Sequence, residues 1–264
     1  MTIQATARLE RATRVRAEDF LCAFDAGGAF PDARPGQFVH VRTPADLTLR
    51  RPFSVAAVTG RGRFELLVRK RGEGTAALLS LPEGAEVSVL GPSGNGFGLP
   101  EPGERAVLVA GGIGVAGLRH LSRTLARDGR RQVVLVGAPT ATALLDGVLP
   151  GPTTDGAVRV EVATDDGSRG LRGTVCDLVG RALEETDAPA RVYCCGPQAM
   201  LRSAAGIALA AGARCEALVE EVMACGIGAC RGCVVRTRTG YRAACADGPV
   251  FDAAELVFDG EERA

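Results

Sequence analysis

Four of the nine cysteines in this 264-residue chain fall within 21 residues near its C-terminal end. Cys225, Cys230, Cys233 and Cys245 are spaced C-x4-C-x2-C-x11-C. Ligands that must converge on one centre constrain a backbone more tightly than any propensity. The first three match the plant-type [2Fe–2S] spacing, with a fourth cysteine further on. Iron in sulfide clusters prefers soft thiolates. Glycines let the chain wrap closely and turn its amides toward the sulfurs, where they help to set the potential. Gly226, Gly228 and Gly232 fit that demand. A structural zinc knot and plain buried cysteines are the alternatives. Zinc sites usually pair their ligands in two short C-x2-4-C units, whereas here the fourth cysteine stands alone. Cys22, Cys176, Cys194 and Cys215 read as small buried hydrophobes. An odd count scattered along a long chain is not a disulfide framework.

The rest of the chain divides by hydrophobic period into a multidomain pattern. Residues 1–100 carry short alternating runs, such as 38–42 and 64–69, between Gly/Pro turns. That pattern predicts a small antiparallel barrel or sandwich, with a short helix over 75–81. After a linker at 100–103, continuous apolar runs at 106–110, 132–137, 158–163 and 191–195 alternate with helical stretches at 115–128, 171–185 and 198–211. Residues 101–214 therefore predict an α/β domain on a parallel sheet. From about Cys215 to residue 264 the chain is Gly- and Cys-rich with little periodicity, a small third domain ordered by its metal centre.

Composition excludes some classes. Lys+Arg and Asp+Glu balance at 31 each, without the basic excess of a nucleic-acid protein. The opening MTIQATARLE has no apolar core and no cleavage site of the signal-peptide kind. The apolar stretch 106–118 is too short to cross a bilayer and is broken by four glycines. These features predict a soluble, cytoplasmic protein.

Several segments carry nucleotide chemistry. Gly111-Gly112-Ile113-Gly114 follows a buried strand and opens a helix, where backbone approach and helix polarity favour a pyrophosphate; an ordinary tight turn is the alternative. Cys195 and Gly196 end a predicted parallel strand, the edge at which open α/β sheets bind ligands. Arg51-Pro52-Phe53-Ser54 combines a cation for phosphate with a hydroxyl for a flavin ring. Gly74 and Thr75 sit where free amides at a helix start would meet the same pyrophosphate. His40 and His120 read as solvated or core residues, and no residue is assigned a catalytic role. The stretch 137–146 has no basic residue and one acid, which predicts NAD(H) over NADP(H).

Together these segments resemble the ferredoxin–NADP reductase superfamily, and within it the electron-transfer subunits of class 1B dihydroorotate dehydrogenases. Arg51–Ser54 is similar to the flavin motif, with Leu67, Val68 and Arg69 beside the flavin and Gly74-Thr75 as the second pyrophosphate contact. Residues 91–97 look like the barrel-closing segment. Gly111, Gly112 and Gly114, with Cys195 and Gly196, look like the nicotinamide-nucleotide segments, and 221–233 with 245–251 is the most specific match. Two departures stand out: the loop between Cys233 and Cys245 is short, and Val68 stands where an aromatic residue often packs on the flavin. The resemblance implies FAD, one [2Fe–2S] cluster and NAD as cofactors. It implies an FMN-containing dihydroorotate dehydrogenase catalytic subunit as partner, with electrons passing from FMN through cluster and FAD to NAD+ in pyrimidine biosynthesis. A reductase subunit of a hydrogenase or of a ferredoxin–NADP transhydrogenase is the alternative enzyme. A redox-sensing regulator is the alternative of a different class.

Overall fold

The computed structural model describes residues 2–43, 49–185 and 188–258. Six strands, β1 (Ile3–Arg16), β2 (Asp19–Asp25), β3 (Phe38–Arg42), β4 (Arg51–Gly60), β5 (Arg63–Arg69) and β6 (Glu86–Ser93), close an antiparallel barrel in the order β1-β2-β5-β4-β3-β6. Alternation sends Leu9, Cys22, Phe24, Val39, Val41, Leu66, Val68, Val87 and Val89 inward to one core, and closure leaves no unpaired edge. The predicted helix after β5 is α1 (Glu73–Leu79). It starts two residues early because Thr75 closes its first turn.

The second layer is a sheet ordered β10-β9-β8-β7-β11-β12-β15. Its strands are β7 (Arg105–Gly111), β8 (Gln132–Ala138), β9 (Val158–Thr164), β10 (Leu171–Arg172), β11 (Ala190–Cys195), β12 (Arg214–Leu218) and β15 (Val250–Asp252). Helices α2 (Val115–Arg127), α3 (Cys176–Glu184) and α4 (Gln198–Ala210) cover both faces. Ala106, Leu108 and Ala110 pack in the core that contains α2, while Val107 and Val109 join α3 and α4. Burial on both faces explains the unbroken apolar runs.

Two expectations need correction. The helix expected over 171–185 is shorter. Gly170 (φ +69°) and Gly173 (φ +141°) take backbone conformations that L side chains avoid. Leu171 and Arg172 between them pair with Ala163 and Thr164 as an edge strand. The segment from Cys215 is also less irregular than expected. Arg214–Leu218 continues the parallel sheet, and Val250–Asp252 returns antiparallel to it. A hairpin of β13 (Val234–Thr237) and β14 (Gly240–Ala243) lies between them. Strands of three to five residues are too short to show a period.

The barrel-closing segment ties these parts together. Asn95 Nδ2 donates to the carbonyl oxygens of Val250 (2.8 Å) and Asp247 (3.1 Å), and its Oδ1 accepts the Val250 amide (3.1 Å). No helix among the described residues is long and apolar enough to cross a membrane.

Candidate functional site

A groove of about 290 Å³ opens between barrel and sheet. Pro52, Phe53 and Ser54 of β4 form one wall with Leu67 and Arg69 of β5, and Ile113, Ala116 and Thr75 close the other sides. Strand alternation decides who reaches it: Leu67 and Arg69 face the groove, while Val68 is fully buried in the barrel core. Val68, expected beside the flavin, offers the groove no side chain. Arg51 lies against α1, where a Cβ on Gly74 would overlap its guanidinium. Thr75 Oγ1 accepts the amides of Arg71 (2.9 Å) and Gly72 (3.2 Å), so those two amides serve the turn. The apolar walls, the Ser54 hydroxyl and the Arg71 cation suit a planar ring system carrying phosphates; Arg69, on the same wall, is held by buried Asp19 at 2.7 and 3.2 Å.

At the C-terminal edge of the sheet the two glycine segments meet backbone to backbone. A Cβ on Gly114 would strike the Cys195 carbonyl, and one on Gly196 (φ +156°) would lie 3.0 Å from the Gly111 amide. A Cβ on Gly111 would sit 2.6 Å from Met200 Sδ. Gly112 (φ +53°) faces open space. A second cavity of about 270 Å³ lies beside Gly196, Pro197 and Gln198. It shares Val219, Glu220 and Glu221 with the first groove, so this short segment is the partition between them. Glu220 is open to solvent on one side and walled by protein elsewhere. That desolvation raises its carboxyl above the usual range, against the pull of Arg71 and Arg69. Cys195 is fully buried and packs on Gly117; burial, then the Glu220 charge, holds its thiol well above the ordinary value.

The four clustered cysteines gather as two pairs: the Cys230 amide donates to Cys225 Sγ and the Cys245 amide to Cys233 Sγ, each at 3.4 Å. Among the described residues no three potential ligands converge on a single metal-ion position. Gly226 (φ +70°) and Gly228 (φ +80°) let the loop between them fold back, and its amides aim at sulfur. Gly228 N–H donates to Cys245 Sγ (3.1 Å) and Cys230 N–H to Cys225 Sγ (3.4 Å). Amides of Ile227 and Cys230 draw the Cys225 thiol down to about 6. Burial and the neighbouring Cys233 push Cys245 up to about 12. Two pairs of cysteine sulfurs with amides turned on them fit a two-iron centre.

Phe38, Glu220 and Met223 line the first groove, and sequence reasoning gave none of them a place there, although Met223 falls within the 221–233 resemblance. Phe38 is one of several alternating apolar residues, and the other two come from a segment that only the return of the chain to the sheet brings to the barrel.

The geometry agrees with what known proteins show. Residues 220–257 match the iron–sulfur cluster binding domain of dihydroorotate dehydrogenase B, residues 13–97 an oxidoreductase FAD-binding domain and residues 108–206 an oxidoreductase NAD-binding domain. The chain is 35% identical over 256 residues to the "Dihydroorotate dehydrogenase B (NAD(+)), electron transfer subunit" of Caldanaerobacter subterraneus subsp. tengcongensis, covering 96% of this chain and 98% of that one. It is 40% identical over 241 residues to the protein of the same description from Bacillus caldolyticus, covering 85% and 87%. Among solved structures, one described as the NADH-dependent reduced ferredoxin-NADP oxidoreductase of flavin-based electron bifurcation superposes with a TM-score of 0.82 at 26% identity, covering 95% and 89%.

Proposed function

The chain belongs to the family of the electron-transfer subunits of dihydroorotate dehydrogenase B, and on that premise we propose that it relays electrons from an FMN-bearing, dihydroorotate-oxidising partner to NAD+. The carrying observation is the adjacency of three sites: a two-pair cysteine centre, a groove under β4 and β5, and a cavity at the sheet edge, the last two sharing Val219 to Glu221.

We assign the residues as follows. Cys225 and Cys230 hold one iron and Cys233 and Cys245 the other. Arg51 neutralises flavin phosphate, Ser54 faces the ring, and Arg69 and Leu67 border it. Gly111, Gly112, Gly114 and Gly196 let the nicotinamide nucleotide approach the backbone. When bound, FAD supplies the conversion between single electrons from an iron–sulfur centre and a hydride for NAD+. This chain's part is to hold these groups close and to exclude water between them. Cys195, buried against Gly117 and held protonated by that burial, backs this edge without lining either cavity. The transhydrogenase-like alternative shares the fold, but the relatives covering nearly the whole chain carry the dihydroorotate dehydrogenase description.

The partner would dock over the cluster loop. Val222 and Ile227 are large apolar residues left 87% and 57% exposed there, the kind of patch that marks an interface. The test is Ala229→Glu in the protein co-expressed with its catalytic subunit. Weakened co-purification and slower dihydroorotate-to-NAD+ turnover, with NADH-driven reduction of FAD intact, are expected. Full co-purification with normal turnover overturns the docking surface. Stoichiometric zinc without iron in the purified chain overturns the cluster itself; about two irons per chain are expected.

A further inference from the structure

His40 is a buried polar residue that the reading above does not use. It lies in β3, opposite Pro52 of β4 and Leu90 of β6. Its neighbours Val39 and Val41 point into the barrel, so alternation turns His40 and Phe38 outward, and their rings lie 5.4 Å apart. Phe38 lines the flavin groove and shares a core with Met223, Cys233 and Cys245. The His40 ring, 1% exposed, therefore sits at the seam between barrel and cluster loop.

The contact across that seam is with Gly226, the residue after Cys225. A Cβ there would fall inside the imidazole, against Cε1 and Nδ1. Gly226 is thus fixed twice, by its positive φ and by the ring beneath it. Both nitrogens of His40 are buried with no hydrogen-bond partner among the described residues. A neutral imidazole always carries one N–H, and burying a donor without an acceptor is unfavourable. Such groups are rare and call for a partner. On the barrel side the ring meets Phe38, Pro52 and Leu90, with the Arg50 cation nearby offering no acceptor, and the cluster loop is the side that carries sulfur.

We infer that His40 is a positioning residue for the iron–sulfur centre: its imidazole N–H donates a hydrogen bond to a sulfur of the cluster held by Cys225 and its neighbours, favouring the reduced form. The inference rests on the cluster reading. Burial, then the charge of Arg50, depresses the pKa of His40; neutral or protonated, the imidazole keeps an N–H to donate. Reduction adds negative charge to the acceptor, which strengthens a hydrogen bond donated to it and so favours the reduced form.

The chain has two histidines, His40 and His120, which makes a direct test available. Full-length protein labelled with 15N-histidine is purified anaerobically, assayed for iron and sulfide, reduced, and studied by pulsed EPR. Absence of iron and sulfide would break the cluster reading, and this inference with it. With the cluster present, a 15N coupling is expected in the wild type, retained in His120→Gln and lost in His40→Gln. No 15N coupling in the wild type, or a coupling that survives His40→Gln, overturns the role of His40. Potentiometry supplies the second readout. His40→Leu should lower the cluster's reduction equilibrium about tenfold, about 59 mV for one electron, with His40→Gln nearer the wild type because its amide keeps a donor. An unchanged potential in His40→Leu, or equal shifts in both variants, overturns it.

Discussion

Arg119 of α2 reaches across the domain seam to Glu65 of β5, with Nη1 2.6 Å from Oε2 and both side chains about nine-tenths buried. The guanidinium also donates to the carbonyl oxygens of Val148 (2.8 Å) and Ala56 (3.5 Å). The barrel and the nucleotide domain are therefore pinned by a desolvated ion pair between β5 and α2. Its worth lies in the relative placement of the domains more than in net stability, because desolvation offsets much of the attraction.

Removing one partner should be far worse than removing both. Glu65→Leu strands the Arg119 charge and should destabilise the protein by about 3–5 kcal/mol, whereas Glu65→Leu with Arg119→Met should recover most of the loss. Urea midpoints of the two variants and the wild type measure this. A single variant within about 1 kcal/mol of wild type would mean that water reaches the pair.

Flavin retention should depend on Arg51. Loss of a charge-assisted hydrogen bond, roughly 1.5–3 kcal/mol, weakens affinity about ten- to a hundredfold or more. Arg51→Ala should release FAD while the visible absorption of the cluster survives. Gly74→Ala should loosen FAD in the same sense, because a methyl there displaces the Arg51 guanidinium. Full flavin in Arg51→Ala would remove Arg51 from the site.

Nucleotide choice should favour NADH. Around the end of β8 the nearby cation Arg169 is engaged by Asp146 at 2.7 and 3.3 Å, which leaves it poorly placed to meet a 2′-phosphate. A kcat/KM higher for NADPH than for NADH contradicts this. Asp146→Asn, which frees Arg169, should narrow the preference.

Stability should fall on mild acidification, in part through His120. Burial first, then Arg123, Arg127 and Arg119, depress its pKa from 6.5 to about 4, with Asp32 opposing. Between those values the unfolded chain binds a proton that the folded chain refuses. The stability linked to neutral His120 is thus complete above about pH 6.5 and lost progressively as pH falls toward 4. Unfolding free energies at pH 7 and pH 5 should differ less in His120→Gln than in the wild type; an equal difference counts against the assignment.

The cysteine spacing, the Arg51–Ser54 motif and the two glycine segments could be read from the sequence because each is local: a ligand spacing, a turn or a strand end that neighbouring residues impose. Barrel and parallel sheet were readable for the same reason, since burial on one face or two writes a period of two or a continuous run. The side chain of Val68 was misread because strand parity, which sends it inward and Leu67 and Arg69 outward, depends on which face the barrel closes upon.

Long-range relationships left no trace in the sequence. Nothing adjacent in the chain joins Glu65 to Arg119, Asn95 to Val250, or His40 to Gly226. Sequence by itself determined which residues carry the donor chemistry proposed here for iron, flavin and nucleotide, because that chemistry and local backbone freedom reside in the residues themselves. Tertiary structure alone decided that Glu220 stands between two cavities and that a buried imidazole lies under the cluster loop. Those facts depend on the antiparallel return of Val250–Asp252 to β12 and the closure of the barrel against it, and contacts between distant segments exist only once the chain has folded.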